Sequence, residues 1–176
     1  MWHAGRAVFL TEKIVRPGLF RLITILGYLG LVPFLGCLAI MLYSVIFGQG
    51  LHSASVLGFY GPYVFIAYSG VILSFLTGTL WSQARLSQQV RLAKGAIVFS
   101  NLLALMAWFC LLIIYISPIL TIMAVCLLMA GFISVLYFEH FLAVEADANY
   151  RNMRVRLTVI VCGAHLAVIT LMLMEL

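Results

Sequence analysis

Five long apolar stretches, separated by short polar or charged connectors, dominate the pattern of this 176-residue chain. A helix rises about 1.5 Å per residue and needs about 20 apolar residues to cross a hydrocarbon core about 30 Å thick. The pattern predicts spans at about 22–47, 63–82, 95–116, 119–138 and 157–174. Only Ser117-Pro118 separates the third from the fourth. One uninterrupted helix from Gly95 to Phe138 would be roughly 66 Å long, more than twice the core, so the chain must turn back there. Ser117 suits an N-cap and Pro118 the first helical position, where a missing N–H costs no helical bond. Gly61-Pro62 restarts a helix in the same way before the second span.

Inside the spans, small and polar residues mark where helices can meet. From Tyr68 to Trp81, helical spacing puts Gly70, Ser74 and Gly78 on one stripe, a seam where another backbone can come close, flanked by Thr77 and Trp81. In the first span Pro33 clashes with the carbonyl of Leu29 and predicts a kink, with Gly27 and Gly30 just before it. The freed backbone groups must find partners on neighbouring helices, polar side chains or water. The kink is therefore a candidate pocket wall, or else a packing device. Asn101 in the third span can bond to another helix. His165 falls near the middle of the fifth span, where ionisable residues are rare and functional by default. Its alternative is a neutral imidazole bonded to Asn101, Ser100 or a backbone carbonyl.

The connectors differ sharply in charge. Residues 1–21, 83–94 and 139–156 hold all 10 Lys and Arg, and the two other connectors hold none. Five crossings put those three segments on one side, and the positive-inside rule makes that side cytoplasmic, with the N-terminus inside and the C-terminus outside. Residues 1–21 read as an amphipathic stretch lying on the membrane or as a basic tail. His52, in the charge-free 48–62 connector, reads as a solvated loop residue. With 65% hydrophobic and 9% charged residues, and a mean hydropathy of +1.19, the chain is far from the roughly 25% charge of soluble domains. The net charge of +5 therefore points to orientation in a bilayer, not to nucleic acid. Cys37, Cys110, Cys126 and Cys162 all lie in apolar spans and read as free, buried thiols.

The 139–156 segment carries Glu139, His140, Glu145, Asp147, Arg151, Arg154 and Arg156. Such a cluster can bind a metal or work as acid and base, bind a headgroup through its arginines, or form an exposed salt-bridged connector. No paired histidine spacing, phosphate loop or nucleophile elbow is present, so no metal, cofactor or catalytic residue is assigned.

Three stretches carry a family resemblance: Leu26-Gly-Tyr-Leu-Gly-Leu-Val-Pro-Phe34, the Tyr68 to Trp81 stretch, and Tyr150-Arg-Asn-Met-Arg-Val-Arg-Leu-Thr158. Together they resemble the DUF3429 family of membrane proteins, which includes the mitochondrial transmembrane protein 69. The resemblance implies a bacterial inner-membrane location and brings no activity with it. Thr77, Ser82, Asn149 and Leu103 depart from residues common in that family.

The expected architecture is an all-α, polytopic membrane protein, one domain over 1–176, with five transmembrane helices in a single bundle. The expected function is a non-enzymatic module that binds a lipophilic ligand, a lipid or a quinone, or docks on a larger membrane complex or on a second copy of itself. Ligand-binding candidates within the spans are Pro33, Tyr68, Ser74, Thr77, Trp81, Asn101 and His165. At the charged end they are Asp147, Tyr150 and Arg154. A small-solute permease using Pro33, Ser74, Thr77, Asn101 and His165 is the alternative. A lipid- or isoprenoid-modifying enzyme built on Glu139, His140, Asp147 and Arg154 is a third reading.

Overall fold

Five helical stretches are long and apolar enough to cross a membrane, at Gly18–Ile46, Gly61–Leu86, Val90–Ile113, Pro118–Leu142 and Ala148–Leu173. The computed structural model describes residues 17–142 and 148–175. The first 16 residues, with most of the basic N-terminal segment, and residues 143–147, with Glu145 and Asp147, lie outside the described residues.

The first span is broken where a kink was expected. Helix α1 (Pro17–Leu29) ends and α2 (Val32–Ile46) begins anew, with Pro33 in its first turn. A proline there loses no helical hydrogen bond, so the chain ends one helix and starts another instead of bending a continuous one. The break is narrow. The Gly30 N–H donates to the Leu26 carbonyl and the Leu31 N–H to the Tyr28 carbonyl, both at 3.0 Å. The Gly30 carbonyl accepts from the Tyr68 hydroxyl of the next span at 2.9 Å, so a neighbouring helix satisfies the interrupted backbone.

A compact loop follows. A 3₁₀ turn at Leu51–Ser53 leads into a two-stranded hairpin, β1 (Ser55–Val56) against β2 (Phe59–Tyr60). Its two-residue turn, Leu57-Gly58, has positive φ at both positions, 55° and 83°, as a tight hairpin requires. The Glu175 carboxylate accepts from the Leu51 N–H and ties the end of the last helix to this loop.

Helix α3 (Gly61–Leu86) then crosses, followed by α4 (Val90–Ile113), α5 (Pro118–Leu142) and α6 (Ala148–Leu173). The reversal between α4 and α5 is built as the sequence indicates, with the Ser117 hydroxyl accepting from the Leu120 N–H at 3.3 Å. Helices α5 and α6 run well into the segment read as a charged connector, so Glu139 and Arg154 both sit on helices.

The most extensive helix contact is α3 on α4. It is not the stripe that the glycines mark. Gly70 does face α4, where an added Cβ would lie 3.5 Å from the Ala107 carbonyl, but Ser74 and Gly78 face outward. The seam turns instead along Gly70, Leu73, Thr77 and Leu80, against the small residues Ala96, Ser100 and Ala107 of α4. These are spaced four and seven apart and let the backbones approach. Among the cysteines, Cys37 and Cys110 are buried as expected, whereas Cys126 is exposed on the outer face of the bundle.

The tightest approach is between α3 and α5. A Cβ at Gly131 would stand 2.6 Å from Leu73 Cδ2 and 3.2 Å from Met106 Cε, both inside the core. Overpacking of this kind costs about 1–3 kcal/mol. Gly131→Ala should therefore lower stability by that amount in reversible unfolding from detergent micelles. Leu73→Ala should then cost less in the Gly131→Ala background than in the parent, because the added methyl occupies part of the vacated space. A Gly131→Ala protein as stable as the parent would show that Leu73 can move away freely.

Candidate functional site

The charged ends of the last two helices meet in one ion pair. On α6, Arg154, Thr158, Val161 and His165 fall at intervals of four, three and four, which is one face of a helix, and all four are buried. On α5, Glu139 lies four residues after Val135 and three before Leu142, both buried, and so shares the inward face of the helix. Arg154 Nε donates to Glu139 Oε2 at 3.0 Å and Nη2 to Oε1 at 2.8 Å, a bidentate pair with each side chain 10% exposed. This geometry fixes both orientation and spacing. Both carboxylate oxygens of Glu139 are thereby engaged.

Two clefts open on either side of this pair, and Tyr150 and Arg154 line both. The larger, about 750 Å³, lies between the ends of α3 and α5 and the start of α6. Its walls are apolar, formed by Ile133, Leu136, Tyr137 and Phe141, and Gln83, His140 and the exposed Arg151 add polar groups. The smaller, about 360 Å³, runs between α1, α3 and α6 along the broken first span. Gly27 and Gly30 form its α1 side, Thr158 adds a hydroxyl, and Phe34 and Phe132 form part of its lining.

Behind those two rings sits His165, fully buried. Its ring is surrounded by Phe65, Phe132 and Phe34, with centroids 4.8, 5.5 and 5.9 Å away. Nδ1 lies 2.8 Å from the Val161 carbonyl. A carbonyl can only accept, so Nδ1 holds the proton, and in the neutral ring Nε2 is left as an acceptor. Nε2 is buried and has no partner among the described residues. A buried polar atom left unpaired costs about 1–3 kcal/mol.

The residues singled out in the sequence divide among the interior, the α3–α4 seam and the outer surface. Tyr68 and His165 meet through Phe34, whose ring centroid lies 4.9 Å from Tyr68 and 5.9 Å from His165, while Tyr150 and Arg154 sit together at least about 16 Å along α6 from His165. Thr77 is buried in the α3–α4 seam and donates to the Ser74 carbonyl at 2.8 Å. Pro33, Ser74, Trp81 and Asn101 are exposed on the outer surface and line neither cleft. Asn101 donates to the Ile97 carbonyl of its own helix at 2.8 Å, not to His165. The Trp81 ring carries the Arg85 guanidinium 4.9 Å from its centroid, a pairing suited to the polar boundary of a bilayer. Asp147 lies outside the described residues.

Phe34, Phe132 and Glu139 were not among the ligand candidates. The Arg154 to His165 spacing signals a shared buried face. Nothing distinguishes Phe34 or Phe132 from the many phenylalanines that face lipid.

Five apolar helices in one bundle, with polar side chains drawn inward around two clefts, define a multi-pass helical membrane protein. Residues 19–170 match the family described as protein of unknown function DUF3429, and the chain belongs to that family. No curated protein and no solved structure matches the chain.

Proposed function

We propose that this protein is a non-enzymatic membrane module that holds a lipophilic ligand, an anionic lipid, in the larger cleft. The observation that carries this reading is the cleft's two-part chemistry. Apolar walls at Ile133, Leu136 and Phe141 suit an acyl chain, and the basic rim at Arg151 suits a phosphate headgroup. Arg154 is paired with Glu139, so among the described residues Arg151 is the basic side chain of this cleft that no ion pair holds. The same ion pair weighs against the headgroup-modifying enzyme, since the bidentate guanidinium stabilises the Glu139 carboxylate as an anion and makes it a weaker base than an unpaired carboxylate there would be. The permease reading relied on a path joining Ser74 and Asn101 to His165, and those two face outward.

The basic end of the bundle is read as the cytoplasmic face of a bacterial inner membrane. Its support is the placement of Arg85, Arg91, Lys94, Arg151 and Arg156 at one end of their helices, opposite Glu175. A reporter that fluoresces only in the cytoplasm should be bright at the N-terminus and dark at the C-terminus; the reverse would invert the orientation.

Native mass spectrometry of protein released gently from its own membrane, with lipid extraction of the same sample, tests the binding reading. One anionic lipid should be retained. Reversing Arg151 to Glu, a change of two charges, should lower its retention about 30-fold, as expected for roughly 1 kcal/mol per charge near a lipid surface. Arg85→Glu, away from the cleft, should change it little. A ligand-free monomer, or a copurifying protein in place of lipid, would overturn the proposal.

A further inference from the structure

The buried imidazole and the smaller cleft together describe a second site with different chemistry. Three observations meet there. The cleft of about 360 Å³ is lined almost wholly by apolar groups. Phe34 and Phe132, which line it, are the same rings that cover His165. Behind them Nε2 is an acceptor without a donor, its tautomer fixed by the Nδ1 contact to Val161, which also lines the cleft. An acceptor buried this deeply calls for a donor, and no described side chain provides one.

We propose that the cleft between α1, α3 and α6 binds a ring-bearing lipophile that carries a hydroxyl, a membrane quinol, whose O–H donates to His165 Nε2. The ring lies against Phe34 and Phe132, and its apolar tail leaves along Leu26 and Phe75, which line the cleft and are exposed on the outer surface. Entry requires the Phe34 ring to turn aside from its contacts with Phe65, Tyr68 and Phe132, a cost that the ligand's own ring contacts must offset. Phe34 stands in the opening turn of α2, just past the break at Gly30-Leu31, and α1 rests chiefly on α6. The Tyr68 hydroxyl on the Gly30 carbonyl holds this joint. A quinone offers only acceptors to Nε2, whereas the quinol offers a donor, so the site selects the reduced form. The proposal involves binding alone and does not depend on the lipid in the larger cleft.

The test uses the full chain in nanodiscs, with a short-tailed benzoquinol kept anaerobic and the matching benzoquinone as probes. The quinol should bind at least about 5-fold more tightly, the worth of one net hydrogen bond. In protein labelled with ¹⁵N-histidine, the Nε2 resonance of His165 should move on adding quinol and stay put on adding quinone. Leu26→Trp, which fills the cleft from its exposed α1 wall, should weaken quinol binding at least 10-fold. Ile133→Trp, in the larger cleft, should leave quinol binding intact while lowering lipid retention, which separates this proposal from the previous one. His165→Leu should abolish the preference for quinol; if that variant does not fold, the ¹⁵N shift in the parent protein decides. Equal affinity for the two probes would overturn the proposal. So would an Nε2 resonance that already reports a hydrogen bond in the ligand-free protein and is unmoved by quinol, because a trapped water would then be the donor.

Discussion

Replacing Glu139 with alanine is expected to destabilise the protein by about 3–5 kcal/mol, because it strands the buried guanidinium of Arg154 without its carboxylate. The two side chains are 10% exposed and joined by two hydrogen bonds at 3.0 and 2.8 Å, so each charge is compensated mainly by the other and little by solvent. Most of the loss reflects the charge left behind, not the strength of the pair. Removing both partners as Glu139→Met and Arg154→Met should therefore bring stability back to within about 1 kcal/mol of the parent. Reversible unfolding in mixed detergent micelles, titrated across all four corners of the cycle, measures this directly. A Glu139→Ala protein that loses less than about 1 kcal/mol would mean that Arg154 finds water or a lipid phosphate instead. Arg151→Ala, exposed and on the rim, provides the reference and should change stability by no more than about 0.5 kcal/mol.

That ion pair also shows where the sequence is legible and where it is not. The five crossings could be read because a bilayer imposes length and polarity on every span, and the Ser117-Pro118 and Gly61-Pro62 signals mark helix starts by local chemistry. The ends of α5 and α6 were harder to place. The charged residues suggest boundaries at Phe138 and Leu157, yet helix α5 continues to Leu142 and α6 begins at Ala148. Glu139 and Arg154 therefore became helix residues that could face each other. The glycine stripe failed for a different reason. Gly70, Ser74 and Gly78 keep a strict spacing of four, which drifts around a helix of 3.6 residues per turn, so only Gly70 remains on the α4 face.

The inner surface of the bundle is the least legible part. In water, burial separates apolar from polar residues along a helix, but lipid is as apolar as the core and applies no such sorting. Phe34 and Phe65 are buried at 1% and 0% exposure while Phe75 and Phe109 face outward at 68% and 48%, although all four are phenylalanines in apolar spans. Polar residues are the better guide, since they are costly against lipid. His165 and Arg154 point inward for that reason. Asn101 escapes it because a local hydrogen bond satisfies it on the outer surface: its amide donates to the Ile97 carbonyl one turn back.

The second large effect is expected at Phe34. It is the common member of the buried aromatic cluster, with ring centroids 5.5 Å from Phe65, 4.9 Å from Tyr68, 6.2 Å from Phe132 and 5.9 Å from His165. Truncation to alanine removes all four contacts. Because the unfolded helices remain in a lipid-like medium, little transfer energy is lost, and the cost is that of the void. At about 24 cal/mol per Å³ and roughly 100 Å³ of removed side chain, the expected loss is about 2–3 kcal/mol. Phe75→Ala removes the same atoms from a lipid-facing position and should cost no more than about 0.5 kcal/mol. The two variants share chemistry and differ in position, so unfolding in the same micelles separates packing from composition. Equal losses would mean that the cluster around His165 is not a packed core. The Phe34→Ala void should also join the smaller cleft, which Phe34 lines, and benzene should then restore part of the lost stability by filling it. Benzene should do nothing for Phe75→Ala, whose missing ring leaves only a dent in the surface that lipid already fills.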